Sequence, residues 1–171
     1  HAAYRRFWAG VGASFPDLGE AASTRYYVEN ERRLFREHFP SLPGLKVFKT
    51  DLWDEAKNTR ILAWASRLGA LPYGVDISPP TVALAREAFE ARTLRCAVSD
   101  VRELPFREAS FDAIYSMGTI EHFDETEQAV REMARVLKPG GRAIVGVPNR
   151  HDPFLRPLLS TLLQWLGLYA Y

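Results

Sequence analysis

The 171-residue chain carries 22 Lys and Arg against 21 Asp and Glu, a formal charge of +1, and 47% of its residues are hydrophobic. This balance excludes a disordered chain, and the length is that of one domain. Cys96 is the only cysteine, which excludes an intrachain disulfide, and the four histidines lack ligand spacing, so we expect no metal site. Without an apolar run of roughly 20 residues or a signal peptide, the sequence predicts a soluble, cytoplasmic protein with no transmembrane segment.

Residues 1–44 form a predicted helical segment that packs on the domain. Ser23 is a candidate N-cap for the stretch STRYYVENERRLFREHF, whose apolar residues have the spacing of an amphipathic helix. Arg25, Tyr26 and Tyr27 on this helix are candidates for ligand contacts, with packing as the alternative. The basic residues form no stripe, so we expect no nucleic-acid partner.

Residues 45–149 alternate short apolar runs with longer periodic ones. The runs LKVF, ALPYGVD, LRCAV, FDAIYSM and GRAIVGVP predict five strands. Helical periodicity lies between them, over residues 54–68, from Ser78 onward, and from about residue 125 to Lys138. Because parallel neighbours need crossovers, this alternation predicts an α/β fold with a doubly wound, mostly parallel sheet. Ligands of such sheets lie beyond the carboxyl ends of the strands.

Two of the predicted helices between residues 45 and 149 carry capping signals. Ser78 can cap the helix that follows the second strand, and Pro79 suits its first turn. Asp124 and Glu127 resemble a capping box for the last helix, which KPGG ends after Lys138.

Two aspartates stand at the carboxyl ends of predicted strands. Asp76 ends the second strand in GVDIS, where a carboxylate can accept both hydroxyl protons of a ribose, with a solvated helix cap as the alternative. Asp100 follows the third strand, where a carboxylate can accept from an exocyclic amine while the N–H of Val101 faces a ring nitrogen. A turn-stabilising aspartate is the alternative at that position.

Three motifs follow one another over roughly residues 74–149: GVDISPPTVALAREAF, SDVRELPFREASFDAIYSMGTIEHF and EQAVREMARVLKPGGRAIVGVPN. Their order and spacing resemble class I S-adenosylmethionine-dependent methyltransferases, especially the small-molecule group that includes quinone-biosynthesis enzymes. The resemblance implies a Rossmann-like fold, S-adenosylmethionine as cofactor, and methyl transfer to an oxygen, nitrogen or carbon of a small molecule. It places Asp76 at the cofactor ribose and implies that the neighbouring Ile77 also binds the cofactor. It places Asp100 and Val101 at the adenine.

The same resemblance also implies roles for residues at the end of the fourth strand. Ser116, Met117 and Gly118 would line the floor beneath the methionine and the substrate. His122 in GTIEHF is the candidate catalytic residue, because an imidazole can take a proton from a hydroxyl or amine nucleophile. A structural role is the alternative, since many methyl transfers need only alignment of the reactants.

The loop after the first strand departs from the family pattern. These enzymes place an acidic, glycine-rich loop there, whereas this chain has VFKTDLWDEAKNTRIL, with Leu52 and Trp53 where glycines normally avoid a clash. We expect Lys49, Thr50 and Asp51 to compensate: Lys49 and the following helix N-terminus would favour the methionine carboxylate, and Asp51 its ammonium. An ordinary surface loop with Trp53 packed inward is the alternative. The chain has no GxGxxG motif, which disfavours a nicotinamide or flavin enzyme.

Residues 150–171 form an apolar C-terminal segment that would serve as a lid or an interface, with packing on this domain as the alternative. Families with this sheet usually continue with antiparallel strands, which the sequence here does not show. We therefore expect either a fragment of a longer chain or a homo-oligomer formed through this segment.

Two classes of function remain open. The first is a methyltransferase, and the second is a non-catalytic relative that serves as a binding or assembly module, suggested by the missing glycines. An RNA methyltransferase is disfavoured because the chain lacks a basic patch.

Overall fold

The computed structural model describes residues 2–89 and 94–148. The predicted lid or interface at residues 150–171 lies outside the described residues. The helices are α1 (Ala2–Ser14), α2 (Ala22–His38), α3 (Trp53–Lys57), α4 (Ile61–Arg67), α5 (Pro79–Ala88) and α6 (Thr126–Val136). The strands are β1 (Lys46–Lys49), β2 (Leu71–Asp76), β3 (Arg95–Val98), β4 (Phe111–Met117) and β5 (Leu137–Gly146). None of the helices within these ranges has both the length and the apolar character needed to cross a membrane.

The five described strands form one parallel sheet in the order β3-β2-β1-β4-β5. In the centre of the sheet, Val47 of β1 pairs with Pro72 of β2 on one side and Ala113 of β4 on the other. The chain winds outward from β1 to β3 and then returns to β4, so the strand order reverses between β1 and β4. This arrangement confirms the predicted doubly wound α/β fold, and it places the expected ligand site at the carboxyl ends of these strands.

Successive residues of the central strands point to opposite faces and fill two apolar layers. Val47 joins a layer that contains Phe35 of α2 and Ile61 of α4. Phe48, the next residue, joins the layer formed with Met133 of α6. Helices therefore cover both faces of the sheet, as a parallel sheet requires.

Two helices precede the sheet, and the sequence analysis predicts only the second. α2 spans the expected residues, although its N-cap is Ala21 and not Ser23. α1 packs closely on the start of α5, because a Cβ on Gly12 would lie 2.5 Å from the hydroxyls of Ser78 and Thr81. This close packing holds α1 across the carboxyl edge of the sheet.

The predicted single helix over residues 54–68 is wrong, since the structure has two short helices, α3 and α4. Arg60 interrupts the helical path with a left-handed backbone (φ 52°). The buried carboxylate of Glu55 then accepts the N–H groups of Leu62 and Ala63 at 2.9 and 3.4 Å. A side chain of α3 thus satisfies the free donors at the beginning of α4.

The capping predictions for α5 and α6 have different outcomes. Ser78 caps α5 as expected, with its hydroxyl accepting from the N–H of Thr81. The capping box of Asp124 and Glu127 is wrong, because α6 has Glu125 as its N-cap and no side-chain cap. α6 also ends before Lys138, since Leu137 already pairs with Phe111 of β4.

Leu52, in the turn between β1 and α3, points into the protein core. Its side chain is fully buried, and its Cδ2 would lie 2.4 Å from a Cβ at Gly74 of β2. The backbone N–H of Leu52 donates to the carboxylate of Asp76 at 2.9 Å. The missing side chain at Gly74 therefore provides the space that Leu52 occupies.

We expect Gly74→Ala to reduce the free energy of unfolding by about 1–3 kcal/mol, because the added Cβ overlaps Leu52. Leu52→Ala should cost about 2–5 kcal/mol through lost packing. The double variant should be more stable than the sum of the two losses predicts, since Ala at position 52 removes the overlap. Urea unfolding measures these values, with Gly10→Ala, whose Cβ has open space, as the control. Strictly additive losses would contradict the competition for space.

A second prediction concerns the pH dependence of stability. Burial raises the pKa of Glu55 to about 7 from its ordinary 4.5, although Lys49 and the N–H of Leu62 oppose the shift. The folded state therefore holds the proton more tightly than the unfolded state, and stability falls as the pH rises from 5 to 7. The loss attributable to Glu55 should be about 2 kcal/mol over this window. Urea unfolding at several pH values should show a smaller loss for Glu55→Gln, whereas parallel curves would refute the assignment.

Candidate functional site

A cavity of about 1220 Å³ opens at the carboxyl edge of the sheet. Turns that follow four neighbouring strands build its floor, and residues of α1 and of the segment just after it contribute a further wall, which we call the roof. The floor residues are Thr50 and Asp51 after β1, Asp76 to Ser78 at the end of β2, Ser99 to Val101 after β3, and Met117 to Thr119 at the end of β4.

The fold brings most of the predicted site residues into this one cavity. Those that line it are Thr50, Asp51, Asp76, Ile77, Asp100, Val101, Met117, Gly118 and His122. Lys49 and Ser116 do not line it and are buried beneath the floor. Tyr26 and Tyr27 are 69% and 56% exposed on α2, and neither they nor Arg25 line the cavity.

The carboxylate of Asp76 is held by two backbone groups. Its Oδ2 accepts the N–H of Leu52 at 2.9 Å, and its Oδ1 accepts the N–H of Ser78 at 2.8 Å. Burial raises the pKa of Asp76 to about 6, and these two hydrogen bonds counteract part of the increase. Asp76 thus links the β1 turn to the start of α5 and leaves acceptor capacity facing the cavity.

Lys49 is fully buried and forms two ion pairs. Its Nζ lies 3.1 Å from Oδ1 of Asp51 and 3.0 Å from Oδ2 of Asp54. Burial alone would lower the pKa of Lys49, but Asp51 and Asp54 raise it well above the ordinary value. One ammonium thus faces two carboxylates that both line the cavity, which leaves an excess of negative charge at this end.

Three hydroxyl groups connect the ends of β1 and β4. Thr50 donates to Ser116 at 2.7 Å and lies 3.1 Å from the hydroxyl of Thr119. Thr119 in turn donates to Oδ2 of Asp51 at 2.9 Å. Together with Lys49, these contacts fix the orientation of the Asp51 carboxylate.

Leu52 and Trp53, where the family pattern has glycines, point in different directions. Leu52 is buried in the core and does not line the cavity, whereas Trp53 does. The Trp53 ring meets that of Phe15 edge to face, with centroids 5.0 Å apart. Lys57 of α3 donates to the backbone carbonyl of Phe15, which also fastens the roof to this loop.

Asp100 is paired with the neighbouring Arg102. Its Oδ1 accepts from Nε of Arg102 at 2.9 Å, and its Oδ2 accepts from Nη2 at 2.6 Å. Burial would raise the pKa of Asp100, but the hydrogen bonds from Arg102 bring it below its ordinary value. The side chain of Val101 is buried in the core. Val101 nevertheless lines part of the cavity, next to the ionised carboxylate of Asp100.

His122 stands at the end of a 3-10 turn (Ile120–His122) that follows Gly118, whose φ is +70°. Its side chain is 42% exposed, and its Nε2 lies 4.0 Å from a carboxylate oxygen of Glu121. The imidazole meets the Trp8 ring with centroids 4.8 Å apart. His122 is therefore positioned on the wall between the floor and the roof.

The roof residues are among the cavity residues that were not predicted from the sequence. They are Tyr4, Phe7, Trp8, Val11 and Phe15. The first four have the spacing i, i+3, i+4 and i+7, which is the signature of one apolar helix face and could have identified α1. In the described part of the chain, no three histidine, cysteine or acidic side chains are grouped as metal ligands.

The chain is similar to proteins of one known family. The methyltransferase domain family matches residues 55–145. A demethylmenaquinone methyltransferase of Thermus thermophilus is 42% identical over 79 residues, which cover 45% of this chain and 36% of the relative. A probable tRNA methyltransferase 9B of Homo sapiens is 42% identical over 106 residues, which cover 53% of this chain and 22% of the relative. The chain thus spans less than half the length of these relatives.

A solved structure shares the fold over most of the chain. The PH0226 protein of Pyrococcus horikoshii superposes with a TM-score of 0.65 at 25% identity, covering 92% of this chain and 69% of the other. The family match includes 91 of the 171 residues and, of the described strands, contains β2, β3 and β4 and all but the last residue of β5. The chain therefore belongs to the methyltransferase domain family.

Proposed function

We propose that this chain is the catalytic part of a methyltransferase that transfers the methyl group of S-adenosylmethionine to an oxygen, nitrogen or carbon of a small molecule. One observation carries the proposal. Three carboxylates, Asp100, Asp76 and Asp51, line one cavity at the carboxyl ends of the adjacent strands β3, β2 and β1.

The donor groups of S-adenosylmethionine fit this row of carboxylates. An adenine amine, two ribose hydroxyls and an α-ammonium follow one another along the cofactor, in the same order as the three aspartates. Carboxylates accept hydrogen bonds from all of these groups. Asp100 and Val101 would hold the adenine, Asp76 and Ile77 the ribose, and Asp51 the ammonium.

The β1 turn supports the methionine end through charge. Asp51 faces the cavity, and the buried Lys49 beneath it acts as a positioning residue. The burial and double pairing of Lys49 argue against the direct contact with the methionine carboxylate that the sequence suggests. Thr50 and Ser116 contribute through the hydroxyl network, while Met117 and Gly118 form the floor beside it.

S-adenosylmethionine supplies a methyl group that its sulfonium has already activated. The chain's own contribution is to align the reactants and exclude water, and the roof over the cavity serves both purposes. His122 is exposed to the cavity, where it can accept a proton from a hydroxyl or amine of the acceptor. The aromatic residues of the roof favour an acceptor with a substantial apolar surface.

The non-catalytic binding or assembly module is the second candidate. Its motivation is the absence of glycines in the β1 turn. Leu52 points away from the cavity, whereas Trp53 lines it, so only one of the two side chains that replace the glycines can meet a ligand there. The absence of a nucleic-acid partner, the homo-oligomer and the cytoplasmic location stay predictions.

Isothermal titration with S-adenosylhomocysteine tests the proposal. We expect binding with micromolar affinity. A folded chain that binds neither this ligand nor S-adenosylmethionine would refute the proposal and favour the assembly module.

Asp76→Asn should weaken S-adenosylhomocysteine binding by roughly 1.5–3 kcal/mol, because it removes a charged acceptor for the ribose hydroxyls. The affinity of the unmodified chain should also rise as the pH increases through about 6, where Asp76 ionises. Titration calorimetry measures both effects. Asp112→Asn is the matched control, since Asp112 pairs with Lys138 near the start of β4 and does not line the cavity. If the unmodified chain, Asp76→Asn and Asp112→Asn all bind with equal affinity, Asp76 does not contact the ligand.

Asp51→Asn should weaken S-adenosylhomocysteine binding by about 1.5–3 kcal/mol, because the ammonium loses an ionised partner. Lys49 keeps its ion pair with Asp54, so we expect the variant to fold. 5′-Methylthioadenosine, which lacks the amino-acid portion, provides the matched ligand and should bind both proteins equally. If both ligands lose the same affinity, Asp51 acts on the adenosine end or on the fold and not on the ammonium.

A further inference from the structure

Arg102 connects three parts of the cavity wall although it does not line the cavity itself. Its side chain is nearly buried, and it binds Asp100 through two side-chain nitrogens. A third nitrogen, Nη1, donates to Glu125 at 2.6 Å. The guanidinium also lies 5.4 Å from the ring centre of Tyr4 and 4.8 Å from that of Phe123.

These contacts determine what Asp100 can offer to a ligand. Oδ1 of Asp100 accepts from both the backbone N–H and Nε of Arg102, at 3.0 and 2.9 Å. Within residues 2–89 and 94–148, Oδ2 accepts only Nη2, at 2.6 Å. Since each carboxylate oxygen has two lone pairs, one acceptor position remains, on Oδ2. Asp100 lines the cavity, so this position is the one that a bound ring can meet.

We infer that Arg102 is a specificity-determining residue, which orients the Asp100 carboxylate and leaves it one acceptor position, and so makes the site prefer a purine with an amine over one with a carbonyl at the same place. The inference rests on the proposed function. An amine donates to the remaining position on Oδ2, whereas a carbonyl oxygen meets the negative charge of the carboxylate without a proton between them.

The planar guanidinium is essential to this role. A guanidinium can donate to both oxygens of a carboxylate and stack on aromatic rings at the same time, whereas an ammonium acts as a point charge. Its neighbours Tyr4 and Phe123 both line the cavity. Arg102 therefore fixes the acceptor and supports the wall around it, without touching the ligand.

The test compares two ligands that differ only at the purine, S-adenosylhomocysteine and its deaminated analogue S-inosylhomocysteine. Titration calorimetry gives the ratio of their dissociation constants for each protein. We expect the unmodified chain to prefer the adenosyl ligand by roughly 10- to 100-fold. Arg102→Gln should reduce this preference to about 3-fold or less, and Arg102→Lys should give an intermediate value.

Arg135→Gln is the matched control. Arg135 binds the two oxygens of Glu132 at 2.6 and 2.7 Å but does not line the cavity. This variant should lose stability, as the Arg102 variants do, yet keep the full preference for the adenosyl ligand. Arg102→Lys keeps the positive charge and provides the measurement if Arg102→Gln does not fold.

The outcomes separate the two proposals. An unmodified chain that binds neither ligand overturns the proposed function and this inference with it. An unmodified chain that binds both ligands equally overturns the inference alone. If the Arg102 variants weaken both ligands by the same factor and keep the ratio, Arg102 has only a structural role.

Discussion

The carboxyl edge of the sheet depends on the burial of one ammonium group, that of Lys49 at the end of β1. A buried charge is costly unless it is paired, and Asp51 and Asp54 provide the pairing. Because both carboxylates must reach the same ammonium, the chain between them turns tightly into α3. That turn directs Leu52 into the core, where the missing side chain of Gly74 provides the space.

Both ends of the cavity floor follow the same electrostatic arrangement. At one end Lys49 lies beneath Asp51, and at the other Arg102 holds Asp100, so each basic side chain is hidden and each carboxylate faces the cavity. Asp76 lies between them and is held by backbone N–H groups. The fold thereby presents a row of oriented acceptors, which suits a ligand that carries donors along its length and a positive charge at its centre.

The roof differs from the floor in chemistry and in origin. The floor is polar and comes from the strand ends, whereas α1 and Phe15 contribute mainly aromatic and aliphatic side chains. α1 is held by Gly12 against α5, and Phe15 by Trp53 and Lys57 of α3. In a family whose members' names refer to substrates as different as a quinone and tRNA, the acceptor surface is the part expected to vary. In the proposed function, the roof is that surface.

The sequence by itself predicts the sheet. The alternation of apolar runs and the cap that Ser78 provides for α5 both depend on residues that are close together in the chain. The sequence also determines that Asp76 and Asp100 follow strands that end at one edge. Two features depend instead on which groups are buried together: the break between α3 and α4, and the pairing of Lys49. The periodicity of the sequence does not reveal such burial. The contact of Asp51 with Thr119 joins residues 68 positions apart, and only the tertiary structure decides it. The placement of α1 is also decided only by the tertiary structure, because its apolar face lines a cavity that residues distant in the chain form.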